Sequence, residues 1–161
     1  MNYVYLCTGG NIGNRVQELT RAAAKLQEAC GTIVERSSFY ETAAWGKTDQ
    51  DPFLNQVLVM ETKISPGEFL SRILDIEKSM GRKRAERFGS RTIDIDILFY
   101  NHLVVSEPGL TIPHPQLQLR RFVLQPLAEI APAYIHPILH QTVLQLLVDC
   151  PDPLEVKKFN S

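Results

Sequence analysis

The spacing of apolar side chains changes along the chain, and it indicates which segments are strands and which are helices. Short runs rich in β-branched and aromatic residues are typical of strands, and four segments have them: residues 3–7, 32–40, 53–62 and 93–100. Apolar residues three and four positions apart are typical of amphipathic helices, and two segments have them: residues 16–30 and 66–80. The first six elements are therefore predicted in the order strand, helix, strand, strand, helix, strand.

Local signals mark the ends of these elements. Gly31 follows the first helix at the place of a C-terminal glycine, and Ser65-Pro66 combines an N-cap serine with a proline at the first helical position. After the fourth strand, Asn101-His102 predicts a turn, and residues 103–105 are expected to pair back as a hairpin. Two further helices are predicted over residues 121–130 and 142–148.

This order of elements is that of an α+β fold with a ferredoxin-like βαββαβ antiparallel sheet. We expect the first two helices on one face of the sheet, a C-terminal helical and hairpin addition, and an opposite face that is open for a ligand. A chain of 161 residues has the usual size of one domain, so residues 1–161 are expected to be a single domain. Fold class alone does not select a function.

Composition and charge exclude several classes of protein. The 17 basic and 18 acidic residues give a formal net charge of −1, without the positive excess of a general nucleic-acid binder. Three cysteines far apart, Cys7, Cys30 and Cys150, predict neither a disulfide framework nor a zinc site. No secretory signal or membrane-spanning apolar run is evident. We therefore expect a cytoplasmic location.

The segment Ile93-Asp94-Ile95-Asp96-Ile97 is the most informative in the chain. Side chains of a strand alternate between its faces, so Asp94 and Asp96 are expected to project together while the isoleucines face the core. Two neighbouring carboxylates repel unless a cation lies between them, and Mg²⁺ characteristically takes one or two protein carboxylates. The alternative is an amphipathic strand with a solvated acidic face, which has the same pattern.

A cationic segment directly precedes these aspartates. Its basic residues, opposed only by Glu86, are Arg82, Lys83, Arg84, Arg87 and Arg91. Alone, such a run is typical of a solvated loop. Beside two candidate metal ligands it favours phosphoryl chemistry, because guanidinium groups grip phosphate oxygens that a metal does not neutralise.

Two other groups are candidates for ligand contacts. His114 lies between prolines, where it is placed either to hydrogen-bond a phosphate or simply to occupy a surface turn. Trp45, Phe53 and Asn55 combine aromatic faces with an amide that suits the edge of a heterocycle, although both aromatics also fit an ordinary core. No P-loop, protein-kinase signature or nucleophile elbow is present, and Gly9–Gly13 is interpreted as a tight turn into a helix.

Along nearly its whole length the chain resembles the 6-hydroxymethyl-7,8-dihydropterin pyrophosphokinase family. The residues that carry the resemblance are Gly9-x-Asn11, Ser37-Ser38-Phe39-Tyr40, Phe53-Leu54-Asn55, Glu77, Gly81-Arg82-x-Arg84, Glu86-Arg87-Phe88-Gly89, Arg91-Thr92-Ile93-Asp94-Ile95-Asp96 and Pro113-His114 before Arg120-x-Phe122. The resemblance implies transfer of a pyrophosphoryl group from ATP to the pterin's hydroxymethyl oxygen, with release of AMP, in folate biosynthesis. It also implies two Mg²⁺ ions as cofactors and ATP as co-substrate.

The resemblance assigns roles residue by residue. It implies that the metal ligands are Asp94 and Asp96 and that the catalytic residues are Arg82, Arg91, Asp94 and Asp96. It implies that the pterin-binding residues are Thr42, Ala43, Ala44, Trp45, Phe53, Asn55 and Phe122. It implies that the nucleotide-binding residues are Glu77, Arg82, Arg84, Arg87, Phe88, Arg91, Ile97, Leu110, Thr111, His114 and Arg120.

The chain departs from the family pattern at several of these positions. Ala43 and Ala44 stand where prolines are frequent, Phe53 replaces a frequent tyrosine, Phe88 a tryptophan, and Gly109 an arginine seen in some members. These departures put individual contacts in question and leave the reaction unchanged. We expect a monomer that acts on ATP and the pterin and binds neither nucleic acid nor membrane.

Two competing interpretations remain at this point. One is a different Mg²⁺-dependent phosphoryl or nucleotidyl transferase on the same fold. The other is a ferredoxin-like nucleotide- or RNA-binding regulatory module without catalysis. RNA recognition on such sheets uses exposed aromatic residues, whereas residues 93–100 present aspartates.

Overall fold

A computed structural model of the chain describes residues 1–43, 51–81 and 93–160. The strands are β1 Asn2–Gly10, β2 Thr32–Arg36, β3 Tyr40–Thr42, β4 Phe53–Thr62, β5 Asp94–Tyr100, β6 Val105–Glu107, β7 Leu110–Ile112 and β8 Val156–Lys158. The helices are α1 Arg15–Ala29, α2 Pro66–Ser79, α3 Arg121–Ile130 and α4 Val143–Val148. No helix in this described part of the chain is both long and apolar enough to cross a membrane.

Six strands form one antiparallel sheet, and the predicted α+β, ferredoxin-like arrangement is confirmed. Its order is β5-β1-β4-β3-β8, with β2 also paired to β4. The predicted strand over residues 32–40 is interrupted, because Ser37 uses its side chain in the ladder. The Val57 N–H donates to Ser37 Oγ, and the Ser37 N–H donates to the Val57 carbonyl, both at 2.9 Å. The interruption divides this edge of the sheet into β2 and β3.

The first face of the sheet is covered by α1 and α2, as predicted. Leu19 and Leu26 of α1 and Phe69 and Ile73 of α2 are fully buried against this face. The side chain of Asn14 caps α1 by accepting from the Gln17 N–H, and the predicted cap of α2 by the serine at position 65 is also present. These helices therefore enclose the larger of the two apolar clusters.

The second face is covered in part by α3 and α4, so it is less open than predicted. Their buried side chains, among them Val123, Leu127 and Leu146, pack with Cys7, Val57 and Phe99 of the sheet. This second apolar cluster does not extend to the end of the face where β5 begins. Helices thus lie on both faces, and the C-terminal addition supplies those of the second.

The hairpin predicted for residues 103–105 is wrong. Asn101 adopts a left-handed conformation with φ of 51°, and it exchanges hydrogen bonds with Tyr3 of β1: its N–H donates to the Tyr3 carbonyl and its Oδ1 accepts from the Tyr3 N–H, both at 2.8 Å. The chain then turns away from the sheet. β6 pairs instead with β7 in a separate two-stranded sheet.

Candidate active site

The two aspartates of β5 lie on one face of the strand, as predicted. Asp94 and Asp96 are half-buried, whereas Ile93, Ile95 and Ile97 are buried in the cluster under α1 and α2. Two residues of strand separate the carboxylates, about 7 Å along the chain. Asp96 pairs across the sheet with Cys7, and burial, followed by the charges of Asp96 and Asp94, raises the pKa of the Cys7 thiol. The carboxylates therefore share the side of the sheet on which this thiol lies.

A row of residues crosses four strands at the level of Asp94. Tyr40 of β3 pairs with Asn55 of β4, Asn55 pairs with Gly9 of β1, and Gly9 pairs with Asp94 of β5. Side chains directly opposite each other in antiparallel strands lie on the same face. Two strand spacings, about 10 Å, therefore separate Asn55 from Asp94, and the residue between them has no side chain.

Gly9 leaves the space that the Asn55 side chain occupies. A Cβ at position 9 would lie 2.2 Å from Asn55 Nδ2, which is far closer than such atoms approach. In that position the amide nitrogen donates to the Thr8 carbonyl at 3.3 Å. The backbone of β1 therefore fixes the orientation of the Asn55 side-chain amide, with its N–H donors and its oxygen acceptor.

Two buried oxygens near this row have no hydrogen-bond partner within the described ranges. They are Asn55 Oδ1 and Thr42 Oγ1, on side chains that are 6% and 3% exposed. Thr42 pairs directly with Phe53, and Phe53 shares a face with Asn55 because two residues separate neighbours on one side of a strand. Buried polar groups are normally satisfied, so these oxygens are available to a polar ligand. We call Thr42, Asn55, Asp94 and Asp96 the polar end of the sheet.

A β-bulge in β5 places His114 beside the aspartates. Tyr5 pairs with Phe99 and Leu6 with Ile97, so Leu98 is the extra residue. The Leu98 carbonyl accepts from the His114 N–H at 3.0 Å. This bond holds the segment after β7 against the outer edge of β5.

His114 is a neutral hydrogen-bond donor. Burial, reinforced by the Arg120 guanidinium, lowers its pKa to about 4, while Asp94 opposes that shift. The Gln116 N–H donates to His114 Nδ1 at 3.2 Å, so Nε2 carries the proton in the neutral ring. The ring therefore offers an N–H close to both the first aspartate and the arginine.

Arg120 and Phe122 come from the start of α3. The Arg120 guanidinium carbon lies 5.7 Å from the centre of the Phe122 ring, and its Nη2 donates to Gln116 Oε1 at 2.5 Å. The guanidinium thus lies within electrostatic range of His114 and stacks on an aromatic face. A cation, a neutral N–H donor and two carboxylates therefore converge on one region.

Comparison with known proteins identifies the family. The family model for 7,8-dihydro-6-hydroxymethylpterin-pyrophosphokinase matches residues 5–132. The chain belongs to this family. The resemblance to this family that was predicted from the sequence is confirmed. The reaction of the family is pyrophosphoryl transfer from ATP to hydroxymethyldihydropterin in folate biosynthesis. The comparisons give no support to the alternative of a non-catalytic binding module.

Three relatives are similar to this chain over most of its length, and two of them are named as the pyrophosphokinase. The 2-amino-4-hydroxy-6-hydroxymethyldihydropteridine pyrophosphokinase of Synechocystis is 44% identical over 145 residues, covering 88% of this chain and 74% of the relative. That of Aquifex aeolicus is 44% identical over 138 residues, covering 86% of each. A folic acid synthesis protein of Dictyostelium discoideum is 39% identical over 94% of this chain, which spans only 23% of that protein.

Solved structures support the fold. A crystal structure of an HPPK–DHPS protein with substrates superposes with a TM-score of 0.73 at 18% identity, covering 91% of this chain and 43% of that one. Plasmodium falciparum HPPK–DHPS with pteroate gives 0.74 at 20% identity, covering 91% of this chain and 42% of that one. At these identities the likeness shows the fold alone.

The structure brings some of the residues predicted for the pyrophosphokinase site together and places others elsewhere. The structure brings together Thr42, Phe53, Asn55, Asp94, Asp96, His114, Arg120 and Phe122, by the pairings and contacts given above. Ala43 directly follows β3 and is exposed. The predictions for Ala44, Trp45, Arg82, Arg84, Arg87, Phe88 and Arg91 lie outside the described residues.

The remaining predicted nucleotide contacts occupy different surroundings. Glu77 is buried on the first face, where its carboxylate accepts from the Ile95 N–H at 2.7 Å. It therefore fixes the backbone between the two aspartates. Ile97 and Leu110 are each 7% exposed and belong to the core under α1 and α2, so their side chains offer a nucleotide little surface. Thr111 is exposed on β7.

The polar end fits a magnesium ion that is shared with a phosphate. Mg²⁺ takes one or two protein carboxylates and completes its octahedron with water and phosphate oxygens, and Asp94 and Asp96 are such a pair. Across residues 1–43, 51–81 and 93–160 no group of three or more ligating side chains could hold a metal.

Sequence reasoning missed Gly9, Leu98 and Gln116. Gly9 was interpreted as part of a turn, yet it belongs to β1 and makes room for Asn55. Its role depends on the pairing of β1 with β4, which no local signal specifies. The bulge at Leu98 and the bond from Gln116 to His114 likewise depend on contacts between separate elements.

Proposed function

We propose that this chain transfers pyrophosphate from ATP to the hydroxymethyl group of 6-hydroxymethyl-7,8-dihydropterin at the polar end of the sheet. The observation that carries the proposal is the row Asn55–Gly9–Asp94. Its two ends lie about 10 Å apart along the sheet, measured between strands. One end carries a buried amide oxygen with no partner among the described residues, the other end carries a carboxylate, and the residue between them has no side chain. A heterocycle bound at the amide therefore extends its substituent toward the carboxylates.

The pterin binds at the side of the row nearer β3. Thr42 Oγ1 and Asn55 Oδ1 accept hydrogen bonds from the heterocycle, which satisfies two oxygens that are otherwise buried without partners. Phe53 and Phe122 supply aromatic faces for the ring. Ala43, Ala44 and Trp45 complete this pocket, as the family resemblance implies.

Asp94 and Asp96 hold two Mg²⁺ ions, the number that the resemblance implies. When bound, these ions neutralise phosphate charge and polarise the oxygens that enter and leave. Glu77 keeps the two carboxylates aligned, because it is bonded to the backbone N–H between them. The half-buried location of both aspartates strengthens their interaction with a cation.

The triphosphate lies between the aspartates and the start of α3. His114 donates its Nε2 hydrogen to a phosphate oxygen without adding a charge, and Arg120 adds a fixed positive one. Arg82, Arg84, Arg87 and Arg91 contribute further cations, with Arg82 and Arg91 acting on the transferred group. Glu77, Phe88, Ile97, Leu110 and Thr111 line the nucleotide side, as the resemblance implies.

The chain functions as one pyrophosphokinase domain, residues 1–161, and as a cytoplasmic monomer that binds neither nucleic acid nor membrane. The balanced charge of 17 basic and 18 acidic residues supports the absence of a nucleic-acid partner. Cys7, Cys30 and Cys150 are all free and buried, which supports a reducing compartment.

Product analysis tests the proposal. We would follow ATP and 6-hydroxymethyl-7,8-dihydropterin with the purified chain by phosphorus NMR, with Mg²⁺ present. The expected products are AMP and the pterin diphosphate. ADP with a pterin monophosphate, or no turnover by the folded chain, would contradict the proposed reaction.

A further inference from the structure

The carboxylate of Asp152 is buried, and the reaction above does not use it. It is 4% exposed, and both of its oxygens accept hydrogen bonds. Oδ2 accepts from the Arg121 N–H at 3.1 Å, and Oδ1 accepts from the Leu154 N–H at 2.9 Å. Asp152 also lies beyond residues 5–132, the part that the family model matches.

The Arg121 side chain also donates hydrogen bonds to this segment. Its Nε donates to the Asp152 carbonyl at 3.2 Å, and its Nη2 donates to the Cys150 carbonyl at 3.0 Å. Cys150 is itself buried in the cluster of α3 and α4. We call residues 150–154 the C-terminal strap. One residue of α3 is thus bonded to the strap through both its backbone and its guanidinium.

The strap supplies the N-terminal cap that α3 lacks. Arg120 occupies the N-cap position and makes no side-chain capping bond, whereas free N–H groups at a helix start normally need an acceptor. Asp152 accepts from the first of them. A carboxylate at this end also interacts favourably with the helix dipole.

The residues on either side of Arg121 are the ones assigned to the substrates. Arg120 precedes it and Phe122 follows it, and the guanidinium of the first lies over the ring of the second. A loosened first turn of α3 would therefore move a phosphate contact and a pterin contact together.

We propose that Asp152 is a positioning residue that holds Arg120 and Phe122 in place for ATP and the pterin. This inference rests on the proposed function of those two side chains. It assigns to the C-terminal strap a role in the affinity for both substrates. Asp152 itself touches neither of them.

Affinity measurements on substituted chains test this. Asp152→Ala removes both acceptors, and Asp152→Asn keeps one acceptor oxygen and nearly the same shape. Asp149→Asn is the matched control, because Asp149 is exposed at the end of α4. By calorimetry, with a non-hydrolysable ATP analogue plus Mg²⁺ and with the pterin, we expect Asp152→Ala to weaken both by about tenfold, because loss of the cap loosens the turn from which both contacts come.

A double-mutant cycle separates positioning from a general loss of stability. In an Arg120→Ala background, Asp152→Asn should weaken binding of the ATP analogue by less than about twofold, because the side chain it positions is gone. Pterin binding should still weaken as it does in the wild-type background. Partial unfolding would weaken the apparent affinity for both ligands by linkage, so every titration is run at a temperature at which circular dichroism shows the variant to be fully folded.

The outcomes distinguish this inference from the proposed function. If the wild-type chain yields AMP but Asp152→Asn and Asp152→Ala bind both ligands normally, the positioning role is overturned and the reaction stands. The same conclusion follows if Asp152→Asn weakens nucleotide binding by equal factors in both backgrounds. If the wild-type chain forms no AMP, it is the proposed function that fails.

Discussion

The two faces of the sheet are built from the same strands, but they carry different side chains at the end where β5 begins. On the first face, Ile93, Ile95 and Ile97 of β5 join a continuous apolar cluster under α1 and α2. On the second face, the alternate residues Asp94 and Asp96 lie beyond the point at which the cluster of α3 and α4 ends. The comparison teaches that one strand can bury an apolar side in the core and present carboxylates, the proposed metal ligands, on the other side.

The largest effect on turnover is expected from substitutions on the second face. Asp94→Asn or Asp96→Asn should lower kcat by at least about a thousandfold, since in the proposed function each removes a charge that would hold the metal and its phosphate. The chain should remain folded, because Asp94 and Asp96 belong to neither apolar cluster. Steady-state assays and thermal unfolding check both parts.

Asp75→Asn is the control for these substitutions, because Asp75 is exposed on α2, on the first face. It should leave kcat within about twofold. Near-normal turnover by either β5 variant would remove the aspartates from the reaction.

A substitution on the first face should instead lower stability and leave turnover nearly unchanged. Ile95→Ala should lower the free energy of unfolding by about 2–5 kcal/mol, as expected for a buried isoleucine that is 5% exposed. The kcat per folded molecule should change little. Denaturant titration and activity at a temperature where the variant is folded test the pair of expectations.

Ile138→Ala, at a side chain that is 51% exposed, should cost well under 1 kcal/mol. A drop in kcat for folded Ile95→Ala as large as that of Asp94→Asn would show that the two faces are not functionally separate.

Substitution of Gly9 should separate pterin binding from nucleotide binding within the second face. Gly9→Ala places a Cβ against the Asn55 amide, so the amide must turn away from the position in which we propose that it meets the pterin. We expect pterin affinity to fall by roughly 30-fold, about 2 kcal/mol, and affinity for the ATP analogue to stay within about threefold. Calorimetry with each ligand measures this split.

Gly67→Ala is the matched control, because a Cβ at Gly67 in α2 meets nothing within 4 Å. Equal losses for both ligands in Gly9→Ala would contradict the assignment of Asn55 to the pterin.

The smallest effect concerns the stability of the ligand-free chain at acid pH. His114 has a pKa of about 4 when folded, against 6.5 as its ordinary value, so between these values the unfolded chain binds more protons. Stability that is present above pH 6.5 is therefore lost as the pH falls toward 4. His114→Gln should reduce this loss by on the order of 1–2 kcal/mol.

Denaturant titrations at pH 7 and pH 4.5 check this, with His102→Gln, at an exposed position, as the control. An unchanged loss of stability in His114→Gln would indicate that His114 is not kept neutral by its surroundings.

The sequence predicted most of what depends on local pattern. The alternation in β5 placed Asp94 and Asp96 together, and Ser65 and Pro66 marked the start of α2. The hairpin at residues 103–105 was wrong, because the conformation of Asn101 is set by its bonds to β1. Local propensity does not contain such contacts.

The finer parts of the site depend on pairing between distant segments. Gly9 matters because 46 residues later Asn55 pairs with it, and His114 is placed by the bulge at Leu98. The cap of α3 comes from Asp152, 31 residues away. In each case the sequence shows the residue type, but it does not show which distant residue will be its partner.

Calorimetric titration of a non-hydrolysable ATP analogue, with and without Mg²⁺, tests the central claim most directly. The wild-type chain should bind the analogue at least about tenfold more tightly with Mg²⁺, and subsequent pterin binding should release additional heat. In Asp94→Asn and Asp96→Asn that dependence on Mg²⁺ should disappear. Equal enhancement by Mg²⁺ in the wild-type chain and in both variants would contradict a metal site at these carboxylates.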